Sequence, residues 1–280
     1  MTSLLELSVM NSYNPSRSHV HGSTPQATPR ATDSIPLCER SLMAFGKIRI
    51  TRQIAQIVGP VVRHPTLARR DVDTDEVSGQ LQFEILKREG CVPSSRVLEV
   101  GCGCLHAGRQ LIRYLDESHY VGVDPNAWLV QTARDEPDVE QLVTDKRARF
   151  LHVNTFDASS LGVAFDYVLS HSVLSHCAHW QLDQFLQGVA KVLAPTGRVL
   201  ASIYLAEGNA YGSAPAPNED DSRDEEWVYP GISRFKLSTV EDAAARHGLT
   251  AVTLPDYTAL ITSTRPRECH DWMIFTPTTD

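Results

Sequence analysis

One stretch constrains this chain more than any other: VLEVGCGCLHAG, Val97 to Gly108. A short β-branched run enters a turn built on Gly101 and Gly103, residues that accept backbone conformations closed to most others and let a ligand approach the main chain. AGRQLIRYL follows with helical periodicity, so its first backbone N–H groups face whatever the turn holds. Roughly twenty residues on, HYVGVD ends a second strand at Asp124, where an acid can grip ribose hydroxyls in the crevice of a doubly wound sheet. Alone, the glycine spacing is a weak signal. Strand, turn, helix and an acid at the next strand tip together make a specific one.

Beyond Asp124 the pattern keeps alternating. NAWLVQTARDE reads as a helix, ARFLHV and FDYVLSHSV as strands, QLDQFLQGVAKVL as a helix and GRVLASIYL as a strand. Strands alternating with helices of this length predict a largely parallel sheet covered on both faces. The expected fold is a Rossmann-like α/β three-layer sandwich with a mostly parallel seven-stranded sheet and an N-terminal helical extension. Residues 91–280 make the main domain, and a polar, Gly- and Pro-rich insertion at 206–233 reads as a lid-like loop. STVEDAAARHGL predicts a helix capped by Ser238-Thr239. LTAVTLPDY and CHDWMIFT supply closing strands. Ahead of the domain, residues 37–90 read as helical, through SLMAFGKIRITRQIAQIVGPVV and EVSGQLQFEILKREG. Residues 1–36 are rich in Ser, Thr, Pro and Asn with no sustained apolar period, as expected of a flexible extension.

Glu99, just before the glycines, narrows the ligand. A carboxylate repels a pyrophosphate and suits a cationic amino-acid moiety. The spacing also departs from G-x-G-x-x-G, because Leu105, His106 and Ala107 separate Cys104 from Gly108. Both points favour S-adenosyl-L-methionine over NAD. The series VLEVGCG, YVGVDPN, FDASSLGVAFDYVLSHSVLSH and VLAPTGRVLAS resembles the successive motifs of class I S-adenosylmethionine-dependent methyltransferases, over about Asp75 to Phe275. More narrowly, the loop resembles a bacterial subgroup with G-C-G-x-L-R-x-G, whose members are linked to sugar, glycolipid or secondary-metabolite methylation. Here His106 stands where that subgroup usually has Arg, and Leu105 where many class I enzymes have Gly.

The resemblance implies site residues. Glu99, Gly101, Cys102 and Gly103 would surround the methionine and ribose part of the cofactor, with Ser170 at the end of the FDYVLS strand. Asp124 would take the ribose hydroxyls. Asp157 would meet the adenine amino group, with Ala158 offering a backbone contact; a turn or helix cap is the competing role for Asp157. Methyl transfer from a sulfonium depends mainly on positioning. A hydroxyl acceptor also needs a base, and LSHSVLSHCAHW supplies His171 and His176 as catalytic candidates near the strand end. Structural histidines compete with this role, and so does a metal site shared by His176, His179 and Asp183. Trp227 and Tyr229 are candidates to pack on an acceptor ring. In TRPRECHDWMIF only Pro266 and Arg267 resemble the family's closing strand region.

Composition bounds the alternatives. With 280 residues, 42% hydrophobic and 21% charged, the chain can bury a full α/β core. A net charge of −8 disfavours a nucleic-acid partner. No apolar run is long enough for a membrane span, and the N-terminus lacks the flanks of a secretory signal. Six cysteines without a C-x-x-C pair fit reduced thiols in the cytoplasm. The expectation is a cytoplasmic enzyme that transfers a methyl group to a small-molecule or glycan acceptor, on oxygen, with nitrogen as the alternative. Its oligomeric state is left open between monomer and homodimer. A non-catalytic cofactor-binding regulatory or partner subunit is the alternative.

Overall fold

The computed structural model describes residues 48–49, 72–153, 155–210, 228–229, 232–257 and 270–278. The chain divides into units 1–35 and 36–280, and every described residue belongs to the second. The proposed flexible extension therefore lies outside the described residues.

Helix α1 (Val72–Arg88) precedes the sheet. Then come β2 (Val97–Val100), α2 (Gly108–Tyr114), β3 (Tyr120–Val123), α3 (Ala127–Arg134), α4 (Pro137–Asp145) and β4 (Arg149–Leu151). The second half runs β5 (Phe165–Ser170), α5 (His179–Ala190), β6 (Leu193–Ile203), α6 (Leu237–Arg246), β8 (Leu249–Thr253) and β9 (Asp271–Pro277). Strands β1 (Ile48–Arg49) and β7 (Val228–Tyr229) form a separate antiparallel pair. The helical periodicity expected from Ser41 to the Gly59-Pro60 break is thus corrected at Ile48–Arg49, where the backbone is extended; the rest of that stretch lies outside the described residues.

The main sheet has seven strands in the order β4-β3-β2-β5-β6-β9-β8. Five run parallel, and β9 is antiparallel to both β6 and β8. This is the Rossmann-like α/β fold that the alternating pattern predicts. The chain winds outward from β2 through β3 to β4, then returns to β5 and winds the other way. The sheet therefore changes direction between β2 and β5, where a crevice opens beyond the strand tips.

Alternation along each strand feeds two cores. One face joins Leu98, Val100, Val168, Phe185, Phe235, Met273 and Phe275, and α5 and α6 cover it. The other joins Val97, Leu111, Ile112, Leu200 and Trp272 with Ile85 and Leu86 of α1. Glu99 shares the side of Val97, so its carboxyl is folded under the helical layer rather than into water.

Helix α1 lies against the glycine-bearing loop itself. A Cβ on Gly79 would stand 2.1 Å from the His106 carbonyl oxygen and 2.4 Å from its carbon, so only glycine allows this approach. Helix α6 departs from expectation at its start. Lys236 is the cap position, with no side-chain cap of its own. Asn209 performs the task from outside: its Oδ1 accepts from Lys236 N at 2.8 Å, and its Nδ2 donates to Thr239 Oγ1 at 3.0 Å.

Candidate functional site

The turn after β2 is pinned to β3. Gly101 N and Cys102 N both donate to Val123 O, at 2.7 and 3.3 Å. Gly101 adopts φ +79°, and a Cβ there would meet Val173 Cγ2 at 2.2 Å, so the loop after β5 closes tightly over the turn. Leu105 also adopts a left-handed conformation, φ 61°. The loop therefore keeps the shape a glycine would give, at a backbone cost of about 1–2 kcal/mol. Full burial of the leucine side chain offsets that cost.

Asp124, at the tip of β3, ties the turn to its neighbour. Its Oδ2 accepts from Gly103 N at 3.0 Å and its Oδ1 from Asn126 N at 2.7 Å. Glu99 is bonded differently: Tyr120 donates its hydroxyl to Oε2 at 2.5 Å. Both acids are buried, and each is pushed up by burial first. For Asp124 the amides of Asn126 and Gly103 oppose that rise. For Glu99 the Tyr120 hydroxyl opposes it, the Asp124 charge adds to it, and the carboxyl ends at about 8. In the free crevice Glu99 therefore holds its proton at neutral pH. Cys102 lies in the same field, its thiol pushed well up by burial and then by Glu99 and Asp124.

The crevice thus gathers two buried carboxyl groups. Asn126 Oδ1 and Ser170 Oγ are buried with no hydrogen-bond partner among the described residues. A cationic ligand carrying hydroxyl groups fits such a site, because it restores the carboxylate and supplies the missing donors.

Asp157 lies on the connection between β4 and β5. Its Oδ1 accepts from Ser159 N at 2.9 Å, starting the 3-10 turn Ser159–Leu161, and its Oδ2 pairs with Lys191 Nζ at 2.7 Å. These bonds, Lys191 first, hold it at about 2. Ala158 is fully buried beside it.

Beyond β5, His171 and His176 are half-buried. The His171 ring stacks on Trp272 at 5.6 Å and tilts against His270 at 5.2 Å. His176 closes the 3-10 turn Leu174–His176. Asp183, the remaining member of the metal alternative, faces α6: its Oδ1 accepts from Arg246 Nη2 at 2.9 Å and lies 3.1 Å from His247 Nε2. No group of three or more metal-ligating side chains occurs among the described residues.

Four site residues escape sequence reasoning: Tyr120, Asn126, Tyr204 and His270. Asn126 carried a signal, since Asp-Pro-Asn before a helix places an amide-bearing side chain at the cap position. Tyr120 and His270 carried none, because their partners are distant in sequence.

Residues 98–199 match the family model described as a methyltransferase domain. No curated protein sequence matches the chain. Among solved structures, the DhpI–SAH complex is similar over 81% of this chain and 97% of its own, with 15% identity and a TM-score of 0.52. Magnesium protoporphyrin IX methyltransferase (ChlM) from Synechocystis PCC 6803, with bound SAM, covers 81% of this chain and 92% of its own at 16% identity and TM-score 0.50. The CcbJ methyltransferase from Streptomyces caelestis covers 78% and 100%, at 14% identity and TM-score 0.50.

Proposed function

We propose that the chain is a class I S-adenosylmethionine-dependent methyltransferase, a reading supported by the methyltransferase-domain match over residues 98–199, and that it methylates an oxygen of a small-molecule or glycan acceptor at the His171–His176 loop. One observation carries the cofactor site: the Glu99 turn and the Asp124 tip meet at the point where the sheet changes direction.

S-adenosyl-L-methionine supplies a methyl group already activated on a sulfonium. The chain's own residues bind, orient and handle the proton. The backbone of Gly101, Cys102 and Gly103 lines the approach, and Glu99 ionises against the incoming positive charge. Asp124, preset by two amides, takes the ribose hydroxyls, with Asn126 Oδ1 beside it as a second acceptor. Ser170 Oγ offers a buried hydroxyl at the β5 tip. Ala158 meets the adenine edge through its backbone, and Asp157 contributes the lone pairs that Lys191 and Ser159 leave over. On the acceptor side, His171 takes the hydroxyl proton, and His176 stands by as the alternative base. The fit of an imidazole to that task is general: it exchanges a proton near neutrality.

Calorimetry with S-adenosylhomocysteine tests the cofactor site. The intact protein binds it, and Asp124→Ala weakens binding at least about tenfold, the loss of one hydrogen bond to a charged group. No binding by the intact protein overturns the proposal. For the acceptor, S-adenosylhomocysteine release is followed across a panel of hydroxylated compounds. Turnover surviving in both His171→Ala and His176→Ala removes the base assignment.

A further inference from the structure

His270 precedes the first residue of β9 and was singled out by no sequence motif. It is 7% exposed, yet it is a polar ring at the meeting point of four segments. Its Nε2 shares a hydrogen bond with Ser175 Oγ at 3.2 Å, and Ser175 is fully buried in the loop between His171 and His176. Its face stacks on Tyr204, just past β6, with centroids 4.4 Å apart and planes 15° apart. Its flank meets His171 at 5.2 Å and 59°. The other face of the arrangement is Trp272, fully buried and stacked on His171 at 18°.

An imidazole has two soft torsions, and a catalytic base is useful only when both are held. Trp272 fixes the plane of the His171 ring. A stack alone leaves that ring free to slide and turn within its plane. His270 blocks that motion from the side, and it can do so because Tyr204 and Ser175 clamp His270 in turn. We propose that His270 is a positioning residue for the acceptor-side base, holding the His171 imidazole in its stack on Trp272. This rests on His171 being that base. The holding of the ring is nonetheless measurable without any acceptor.

The test uses the full chain with 13C-labelled histidine, saturated with S-adenosylhomocysteine. The His171 ring signals are identified by their loss in His171→Ala. In His270→Ala these signals lose their ring-current displacement and broaden, while the affinity for S-adenosylhomocysteine stays within twofold. His270→Phe keeps the ring stack without the Ser175 bond and retains the displacement. His270→Gln keeps a polar group without the stack and loses it. Should His270→Ala fail to fold, the Phe and Gln variants still decide the matter. Unmoved His171 signals in the Ala or Gln variants overturn the proposal, as does a Phe variant that loses the displacement completely. Failure of the base assignment is read separately, from undiminished turnover in His171→Ala.

Discussion

Replacing Gly79 by alanine sets two physical effects of opposite sign against each other. Inside an exposed helix, Gly→Ala stabilises by about 1 kcal/mol, because glycine loses more conformational freedom on folding. Gly79 is buried, and its missing Cβ would lie 2.1 Å from the His106 carbonyl oxygen. Real contacts of this kind need roughly 3 Å or more, so α1 must retreat by about 1 Å along that line. The neighbour is backbone, in a loop already pinned by Leu105, and it cannot swing aside as a side chain would. A gap of that size forfeits about a quarter to a half of each contact energy. Ile85 and Leu86, both fully buried on α1, are each worth about 1.5–3 kcal/mol. Overpacking strain adds about 1–3 kcal/mol. Net of the propensity gain, the substitution costs about 1–5 kcal/mol. At about 2–4 °C per kcal/mol for a domain of this size, Tm falls by roughly 2–20 °C. Scanning calorimetry of the full chain reads this directly. A Tm that rises, or does not move, refutes the close approach of α1 to the loop.

Other outcomes follow from the same geometry. Glu99 sits at about 8 in the free crevice, so binding a cation ejects its proton at neutral pH. The affinity for S-adenosylmethionine therefore climbs as pH rises toward 8 and levels off above it. Titration calorimetry in two buffers of different ionisation enthalpy counts the released proton, and Glu99→Gln abolishes the release. Asp157 is held at about 2, below its unfolded value, so its stabilisation is present above about pH 4 and lost as pH falls through 2. Because the Lys191 pair is partly exposed, Lys191→Met costs less than about 1 kcal/mol at pH 7 and nothing near pH 2, by denaturant titration. Cys91 and Cys177 are buried thiols raised to about 11 and 12, so mass-mapped alkylation at pH 7.5 labels them only after unfolding. Leu105→Gly relieves the left-handed backbone but empties a fully buried site, and Tm falls.

The parallel strands were legible because each carries its own signal. RVLEV, HYVGVD and FDYVLS are short β-branched or aromatic runs ending at turn residues, and the structure cuts them to Val97–Val100, Tyr120–Val123 and Phe165–Ser170. Helix α4 was missed although Pro137 opens it and Asp138 and Glu140 occupy its first turn, the usual marks of a helix start. It falls between NAWLVQTARDE and ARFLHV, a stretch in which the alternating pattern marks no element. The acids of the site were legible from their places at strand tips. Their protonation was not, because Glu99 owes its state to burial and to the charge of Asp124, against the opposing hydroxyl of Tyr120, 21 residues away. Nor was the cap of α6, where Asn209 reaches a helix beginning 28 positions later. Pattern reading sees neighbours in sequence; these effects belong to neighbours in space.

The stitching beside β6 has a consequence for how such a chain can diversify. Ala206 N donates to Phe235 O, Phe235 N to Tyr204 O, and Ala210 and Arg234 exchange both of their backbone bonds. These links form a neck that is complete in itself, and Ser233 N fastens it to Ser175 O beside the histidine loop. With its mouth already sewn shut, doubling the length of chain strung between the two lips costs only about 0.6 kcal/mol of closure entropy. The seven-stranded frame can thus carry a longer or shorter connection between these two lips at little cost to its own closure.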